Sequence, residues 1–582
     1  MAGPYSIKVE PNVPLMLRDG TITYADVYRP DAPGAFPALL QRTPYDKSAP
    51  GSKTASLDAV RAAMRGYAVV IQDVRGRYSS DGEFYTFVDE TNDGYDSVEW
   101  AAAQPWCSGK VGMYGGSYVG ATQWLAAKAG HPALAAIAPA ATSSDYHEGW
   151  AWQGGAFELG FNLSWAFGLT TGNWDNISNR LFLQSRQLEV LIESKDNLMA
   201  AYNYLPMREL SDLEGGLAPY YYDWLDHPEY DDYWKSVSIE ESHADITVPA
   251  FNHGGWYDIF LGGTIRNFTR MRELGATEEA RRGQRLVLGP WVHGGVATSV
   301  SGEFNFGTRA ASNVQDLQGQ ILRYYDYWLR GEDNGVPDDR PVSIFVMGEN
   351  VWRSEDEWPL ERAQVVDYYL HSEGKANTLN GDGRLDPEPP RNEVPDVYVY
   401  NPIDPVPTRG GPLCCDPGFV PPGAYDQRPV ETRQDVLVYT TPPLETYMEV
   451  TGPVTVTLYA SSSARDTDFT AKLVDVGPDG YARNLTEGII RARYRIPRTP
   501  ASPIEPGQVY MYEIDLWATS NLFKKGHRIR VEVSSSNFPR FDRNTNTGEP
   551  IGTDVGFASA LQSVYHTPQH PSHVSLPVVP RD

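Results

Sequence analysis

The run Val111-Gly112-Met113-Tyr114-Gly115-Gly116-Ser117-Tyr118-Val119-Gly120, continued by Ala121-Thr122-Gln123-Trp124-Leu125-Ala126-Ala127, constrains this chain more than any other stretch. A short apolar strand meets a glycine-rich turn and then a helix-forming segment, which lifts one serine out of a sheet edge at a helix N-terminus. Small residues flank the serine because so tight a reversal leaves no room for large ones. The second glycine stands one place later than in the common G-x-S-x-G elbow. Taken alone, the same residues also describe a plain glycine-rich turn.

The neighbouring sequence favours the elbow. Pro37-Ala38-Leu39-Leu40 and Ala68-Val69-Val70-Ile71 resemble Val111 to Tyr114 in texture, as strands of a parallel sheet buried on both faces do. Residues 57–65 and 97–103 read as helices between them. From about 145 to 240, aromatic and acidic stretches such as Ala218-Pro219-Tyr220-Tyr221-Tyr222-Asp223-Trp224 predict a mainly helical insertion. Strand texture resumes at 246–251 and 285–288, followed by a helix over 317–329. Beyond about 350, Val454-Thr455-Val456-Thr457-Leu458-Tyr459 and Arg528-Ile529-Arg530-Val531-Glu532-Val533 alternate as half-buried strands of a separate sandwich. The Pro/Gly-rich stretch 380–423 joins the regions and is expected to wrap over a surface.

A serine hydroxyl is a weak nucleophile at neutral pH. It needs an imidazole to take its proton and a carboxylate to orient that imidazole, in the chain order Ser, acid, His when the sheet is of the α/β-hydrolase kind. Two later strands lead into Asn252-His253-Gly254-Gly255-Trp256-Tyr257-Asp258 and Gly289-Pro290-Trp291-Val292-His293. Loops at the carboxyl ends of parallel strands converge on one sheet edge. Ser117, Asp258 and His293 therefore form the expected nucleophile, acid and base. His253 is the rival base, but it precedes Asp258 within the same loop. Asp245 and Asp232 are rival acids that lie before their strand. The Tyr118 amide is one expected oxyanion donor, and the Tyr45 phenol, just past another strand end, is a candidate for the second, although spacing alone favours a packed surface tyrosine. Asp73 is expected to pair structurally with a nearby arginine.

Composition narrows the partners. A net charge of −26 repels phosphodiester backbones and anionic lipid, so a nucleic-acid partner is not expected. No apolar run is long enough to span a membrane and the amino terminus lacks a signal-peptide pattern, which predicts a cytoplasmic protein. Cys107, Cys414 and Cys415 read as structural and reduced, because adjacent Cα atoms sit closer than a bridge usually allows and no zinc-type histidine spacing accompanies them. The stretch Asn380-Gly381-Asp382-Gly383-Arg384 reads as a turn, because the calcium-loop register would end on Thr378 and Pro389. No metal and no cofactor are expected. A homo-oligomer is compatible with the sequence.

The set Arg42-Thr43-Pro44-Tyr45-Asp46, Gln72-Asp73-Val74-Arg75-Gly76, Gly115-Gly116-Ser117-Tyr118-Val119-Gly120, Gly255-Trp256-Tyr257-Asp258 and Gly289-Pro290-Trp291-Val292-His293 resembles the bacterial cocaine esterase family. Its relatives include the X-Pro dipeptidyl-peptidases and α-amino-acid ester hydrolases. Asp426-Gln427-Arg428 and Thr467-Asp468-Phe469-Thr470-Ala471-Lys472-Leu473 extend the likeness into the β region. The resemblance implies an α/β-hydrolase domain with an inserted helical cap and a C-terminal all-β jelly-roll domain. The expected boundaries are 1–144, 145–240, 241–350 and 351–582, with the hydrolase domain in two parts around the cap. It also implies a G-x-S-Y-x-G motif, which accounts for the displaced glycine, and the roles given above for Ser117, Asp258, His293, Tyr45 and Tyr118.

Within that family, α-amino-acid ester hydrolases carry carboxylates just after the acid of the triad. Here Asp258 is followed by Ile259-Phe260-Leu261, which argues against an ammonium pocket. Trp150, Trp165 and Phe260 match aromatic positions that line the acyl pocket, although ordinary cap packing would also account for each ring. The expectation is a serine hydrolase of small-molecule esters with hydrophobic or aromatic acyl groups, acting through an acyl-enzyme. An X-Pro dipeptidyl-peptidase or β-lactam acylase is the alternative within hydrolases, and a noncatalytic β-sandwich binding protein the alternative outside them.

Overall fold

The computed structural model describes residues 4–183 and 185–581. Its first sheet contains ten strands: β1 (Ile7–Met16), β2 (Ile22–Pro30), β3 (Phe36–Thr43), β4 (Ala68–Asp73), β5 (Cys107–Gly116), β6 (Leu134–Ala140), β7 (Phe251–Tyr257), β8 (Arg285–Val292), β9 (Val342–Val346) and β10 (Val351–Glu355). Their spatial order is β1-β2-β4-β3-β5-β6-β7-β8-β9-β10. From β4 to β9 neighbouring strands run parallel, while β1, β2 and β10 add antiparallel pairs at the edges. All six residues of β4 and all seven of β7 are buried, as strands covered on both faces require.

Helices cover the sheet. Among them are α1 (Ala59–Met64), α2 (Glu90–Ala102) and α3 (Tyr118–Lys128). The Asp58 carboxylate caps α1 by accepting the Arg61 amide at 2.9 Å. Helix α2 starts earlier than residue 97, the expected onset, because buried acidic residues rather than an apolar stripe occupy its first turn.

Between β6 and β7 lies the helical insertion. Its central helix α4 (Leu159–Gly172) is buried almost throughout. Cap rings such as Trp150, Trp165 and Trp224 join the same apolar cluster as Val111 and Met113 of β5, so the cap shares a core with the sheet beneath it.

The strand expected over 246–251 begins only at Phe251 and runs to Tyr257. Pro249 just before it has no N–H to give to a ladder. His253 therefore lies within a strand instead of a loop. The hydrolase sheet also continues through β10 (Val351–Glu355), which pairs with β9 and so carries that sheet past the expected boundary at 350.

After the sheet the chain is almost entirely β, in one 12-stranded hydrogen-bonded system. Its backbone is the long pairing of Met448–Ser462 with Tyr510–Phe523. The stretch 380–423 is more than a surface wrap, since Arg384–Asp386 and Asp396–Tyr400 are strands of this system. Among the described residues, no helix is long and apolar enough to cross a membrane.

Candidate active site

Four strand ends on one edge of the sheet carry the candidate residues. β3 leads to Tyr45, β5 to Ser117, β7 to Asp258 and β8 to His293, and all four strands run in the same direction. Tyr257 and Val292 are register partners, so the residues that follow them are placed side by side by the ladder itself.

Ser117 occupies φ +62° and ψ −129°, between β5 and α3. Its amide donates to the Ala140 carbonyl at 3.0 Å, which locks the turn to β6. At Gly115, with φ +135°, an added Cβ would meet Val119 Cγ1 at 2.2 Å. At Gly120 it would meet Thr142 Cβ at 2.8 Å. The displaced glycine thus has a steric reason: Val119 fills the space above Gly115, and the close approach to the next segment moves to position 120.

Asp258 is 2% exposed and pairs with His293, whose Nδ1 lies 3.1 Å from Oδ2 and 3.3 Å from Oδ1. Oδ1 also accepts the Phe260 amide at 2.8 Å, which fixes the carboxylate on its own loop. An imidazole held through Nδ1 presents Nε2 for proton transfer.

The Tyr45 hydroxyl accepts the Trp165 Nε1–H at 3.1 Å and shares the cavity wall with Ser117. Burial raises the phenol pKa, and the Trp165 and Ser117 contacts only partly offset it, so the group stays a neutral donor. Its loop is clamped from two sides. Arg77 Nε donates to the Pro44 carbonyl at 2.9 Å, and Asp73 accepts the Lys47 amide at 2.7 Å. Asp73 also binds Lys47 Nζ at 3.2 Å, so its partner is a lysine and not the expected arginine.

Tyr118 begins α3, where the first amides of a helix have no intrahelical acceptor. Its hydroxyl donates to Glu90 Oε1 at 3.0 Å, and Glu90 in turn accepts from Arg42 at 2.6 Å. That buried chain ties the elbow to β3.

Ser117, Tyr45 and His293 line one cavity of about 740 Å³. This volume is within the range of small-molecule sites. His253 lines it as well, but its ring is buried, its Nδ1 has no hydrogen-bond partner among the described residues, and burial lowers its pKa to about 4. A ring held neutral inside a strand is a poor candidate for the acid that later protonates a leaving group. The rival acids lie elsewhere: Asp245 in a short 3-10 turn before β7, and Asp232 at the start of a cap helix.

Trp150, Trp165 and Phe260 are not on the wall of that cavity. They pack on one another, Trp150 stacking on Phe260 at 4.4 Å and meeting Trp165 edge-on at 5.5 Å. The cluster still touches the candidate residues, because Phe260 meets the His293 ring edge-on at 5.2 Å and Trp165 holds Tyr45.

The cysteine pair departs from its sequence reading. Cys414 and Cys415 are joined as a disulfide, and ligand atoms of His293, Cys414 and Cys415 all lie within 4.8 Å of one another. Spacing gives no hint of this, because the histidine follows a strand of the hydrolase sheet and the cysteines lie more than a hundred residues further on, in the β region.

Residues 19–295 match the family described as X-Pro dipeptidyl-peptidase (S15 family), and residues 334–575 match the X-Pro dipeptidyl-peptidase C-terminal non-catalytic domain. The chain is 41% identical to a cocaine esterase of Rhodococcus sp. (strain MB1 Bresler), with 100% of each sequence covered. Among solved structures, it is similar to an aminopeptidase from a marine sediment Thaumarchaeota archaeon, with TM-score 0.80, 27% identity and 99% and 97% of the two chains covered. It is also similar to an α-amino acid ester hydrolase, with TM-score 0.79, 25% identity and the same coverage.

Proposed function

Because the chain belongs to the X-Pro dipeptidyl-peptidase (S15) family and aligns end to end with a cocaine esterase, we propose that it is a serine hydrolase of carboxylic esters with hydrophobic or aromatic acyl groups. The observation that carries this reading is one cavity wall bearing Ser117, Tyr45 and His293, with Asp258 on the far side of the imidazole.

In this mechanism His293 Nε2 takes the Ser117 proton as Oγ attacks the ester carbonyl carbon. The carbonyl π electrons move onto oxygen, and the Tyr45 O–H and Tyr118 N–H donate to that oxyanion. Asp258 holds the Nδ1–H and stabilises the imidazolium. Collapse expels the alkoxide, which takes the proton from Nε2 and leaves an acyl-Ser117 ester. A water deprotonated by the same nitrogen attacks the acyl carbon, and Ser117 leaves as the regenerated hydroxyl with the carboxylic acid as second product. The ring cluster of Trp150, Trp165 and Phe260 packs behind that cavity wall, in contact with both Tyr45 and His293, and so backs the acyl side without lining it.

Ser117→Ala is expected to abolish turnover of an aryl ester and covalent labelling by a fluorophosphonate. Labelling that persists in the variant refutes the assignment. The family profile itself favours one second reading, release of an X-Pro dipeptide. Ile259-Phe260-Leu261 after Asp258 supplies no carboxylate for a substrate ammonium, which favours the ester. Hydrolysis of an Xaa-Pro anilide faster than a benzoate aryl ester by the same preparation would reverse that preference.

A further inference from the structure

The groups that meet at His293 form an N,S,S donor set that ester hydrolysis does not use. We propose that Cys414 and Cys415, once reduced, form with His293 a site for a soft divalent cation of the Zn²⁺ class, and that occupancy withdraws His293 from proton transfer. The juxtaposition carries the site: one ligand atom from each of the three residues lies within 4.8 Å of the others. A tetrahedral ion with metal–sulfur and metal–nitrogen distances of about 2.3 and 2.0 Å needs ligand atoms about 3.5 Å apart, so the nitrogen and the sulfurs have at most about 1 Å to close, while the two sulfurs, bonded in the disulfide, separate on reduction.

The donors have distinct settings. Asp258 already engages His293 Nδ1, so Nε2 is the coordinating nitrogen, and a carboxylate behind a metal-bound imidazole is a common support. Cys414 is 2% exposed and belongs to the apolar cluster that holds Trp165 and Phe260, which anchors one sulfur. Cys415 is exposed, so a reductant can reach the bridge.

The chemistry balances in two stages. A small thiol attacks the Cys414–Cys415 bond and a second releases it, so two R–SH become one R–S–S–R while the protein gains two thiols. Metal binding then sends both thiol protons to the buffer, and the two thiolates and the neutral imidazole each donate one electron pair. The disulfide form cannot present thiolates, so the site exists only in the reduced protein.

The binding part stands on the donor geometry, and the inhibition part rests on the base role proposed for His293. The full chain is reduced with a water-soluble phosphine, which is oxidised to its oxide as water supplies the oxygen and the two thiol protons. It is then titrated anaerobically with Co²⁺ as a spectroscopic substitute for Zn²⁺. A thiolate-to-cobalt charge-transfer band saturating at one equivalent is expected, absent from the unreduced protein and lost or halved in Cys415→Ser, whose exposed position spares the fold. Cys414→Ser gives a second check.

In parallel, Zn²⁺ is expected to inhibit ester hydrolysis by the reduced protein, with reversal by a chelator and little effect on the disulfide form. No band in the reduced chain, or a band in both serine variants as strong as in the unsubstituted chain, overturns the metal site. A band with unchanged hydrolysis keeps the site and removes His293 from the reaction, so the two failures are distinguishable.

Discussion

A non-glycine residue at φ +62° and ψ −129° is held there by its surroundings, at a cost of about 1–3 kcal/mol. Ser117 is therefore expected to trade stability for exposure of its hydroxyl. Ser117→Gly removes both the strain and the proposed nucleophile, and should raise the free energy of unfolding by about 1 kcal/mol while eliminating turnover. Urea unfolding set beside an aryl-ester assay checks both halves; a glycine variant no more stable than the wild type would show that the turn is relaxed. Tyr45→Phe is a subtler substitution. It keeps the ring on the cavity wall but removes the proposed oxyanion donor and the acceptor of the Trp165 N–H. Loss of one such donor is expected to lower kcat by about 10²- to 10³-fold, with a much smaller change in KM. If steady-state kinetics of Tyr45→Phe instead show a raised KM with kcat unchanged, Tyr45 belongs to binding.

At the scale of single elements, α4 carries a buried charge problem at its start. Glu158 is 1% exposed, and its Oε1 lies 3.4 Å from Arg540 Nη2, which shares that guanidinium with Glu487. Burial raises the Glu158 pKa from the ordinary 4.5 to about 7; Arg540 opposes this and Glu487 adds to it. A carboxyl whose folded pKa is raised contributes stability fully below its unfolded pKa, and loses that contribution as pH rises through the folded value. Glu158→Gln fixes the neutral form. It should unfold much like the wild type near pH 4, yet be more stable by an amount on the order of 2–3 kcal/mol at pH 8. Urea midpoints at the two pH values measure it, and a difference that does not grow with pH contradicts the shift.

The same scale shows what the sequence made legible. The parallel strands and the elbow were readable because double burial and a tight turn restrict residue type directly. Strand β7 was misplaced because Asn252 and His253 look like loop residues. Only the fold supplies Gln284 Oε1 at 3.1 Å and the Arg285 carbonyl at 3.2 Å to satisfy the Asn252 amide inside the sheet. Arg77 and Lys47 around the Tyr45 loop, and the cysteines beside His293, depend on tertiary proximity, which leaves no periodic trace in the chain.

For the whole molecule, the decisive feature is that one flank of the hydrolase sheet and the β region share a core. Leu286 and Leu288 of β8 and Ile344 of β9 join Val450, Leu516 and Phe523 in one apolar cluster. The main chain is continuous across the same boundary. The Met347 amide donates to the Ser520 carbonyl at 2.9 Å, and the Leu522 amide returns to the Met347 carbonyl at 2.8 Å. Arg540 ties in the cap as well, through Gln153 at 2.8 Å and Glu487 at 2.7 Å, with no solvent exposure. Unfolding the β region alone would expose the flank of β8 and β9 and strand these buried carboxylates, so the three parts are expected to unfold in one transition. Arg540→Met should lower that transition by about 3–5 kcal/mol, the cost of leaving buried charges unpaired, without splitting it. Tryptophan fluorescence and far-ultraviolet circular dichroism followed through urea unfolding are expected to coincide in both proteins. Two separated midpoints in the wild type would mean that the β region is an independent folding unit resting against the hydrolase, and the shared core would then carry no cooperativity.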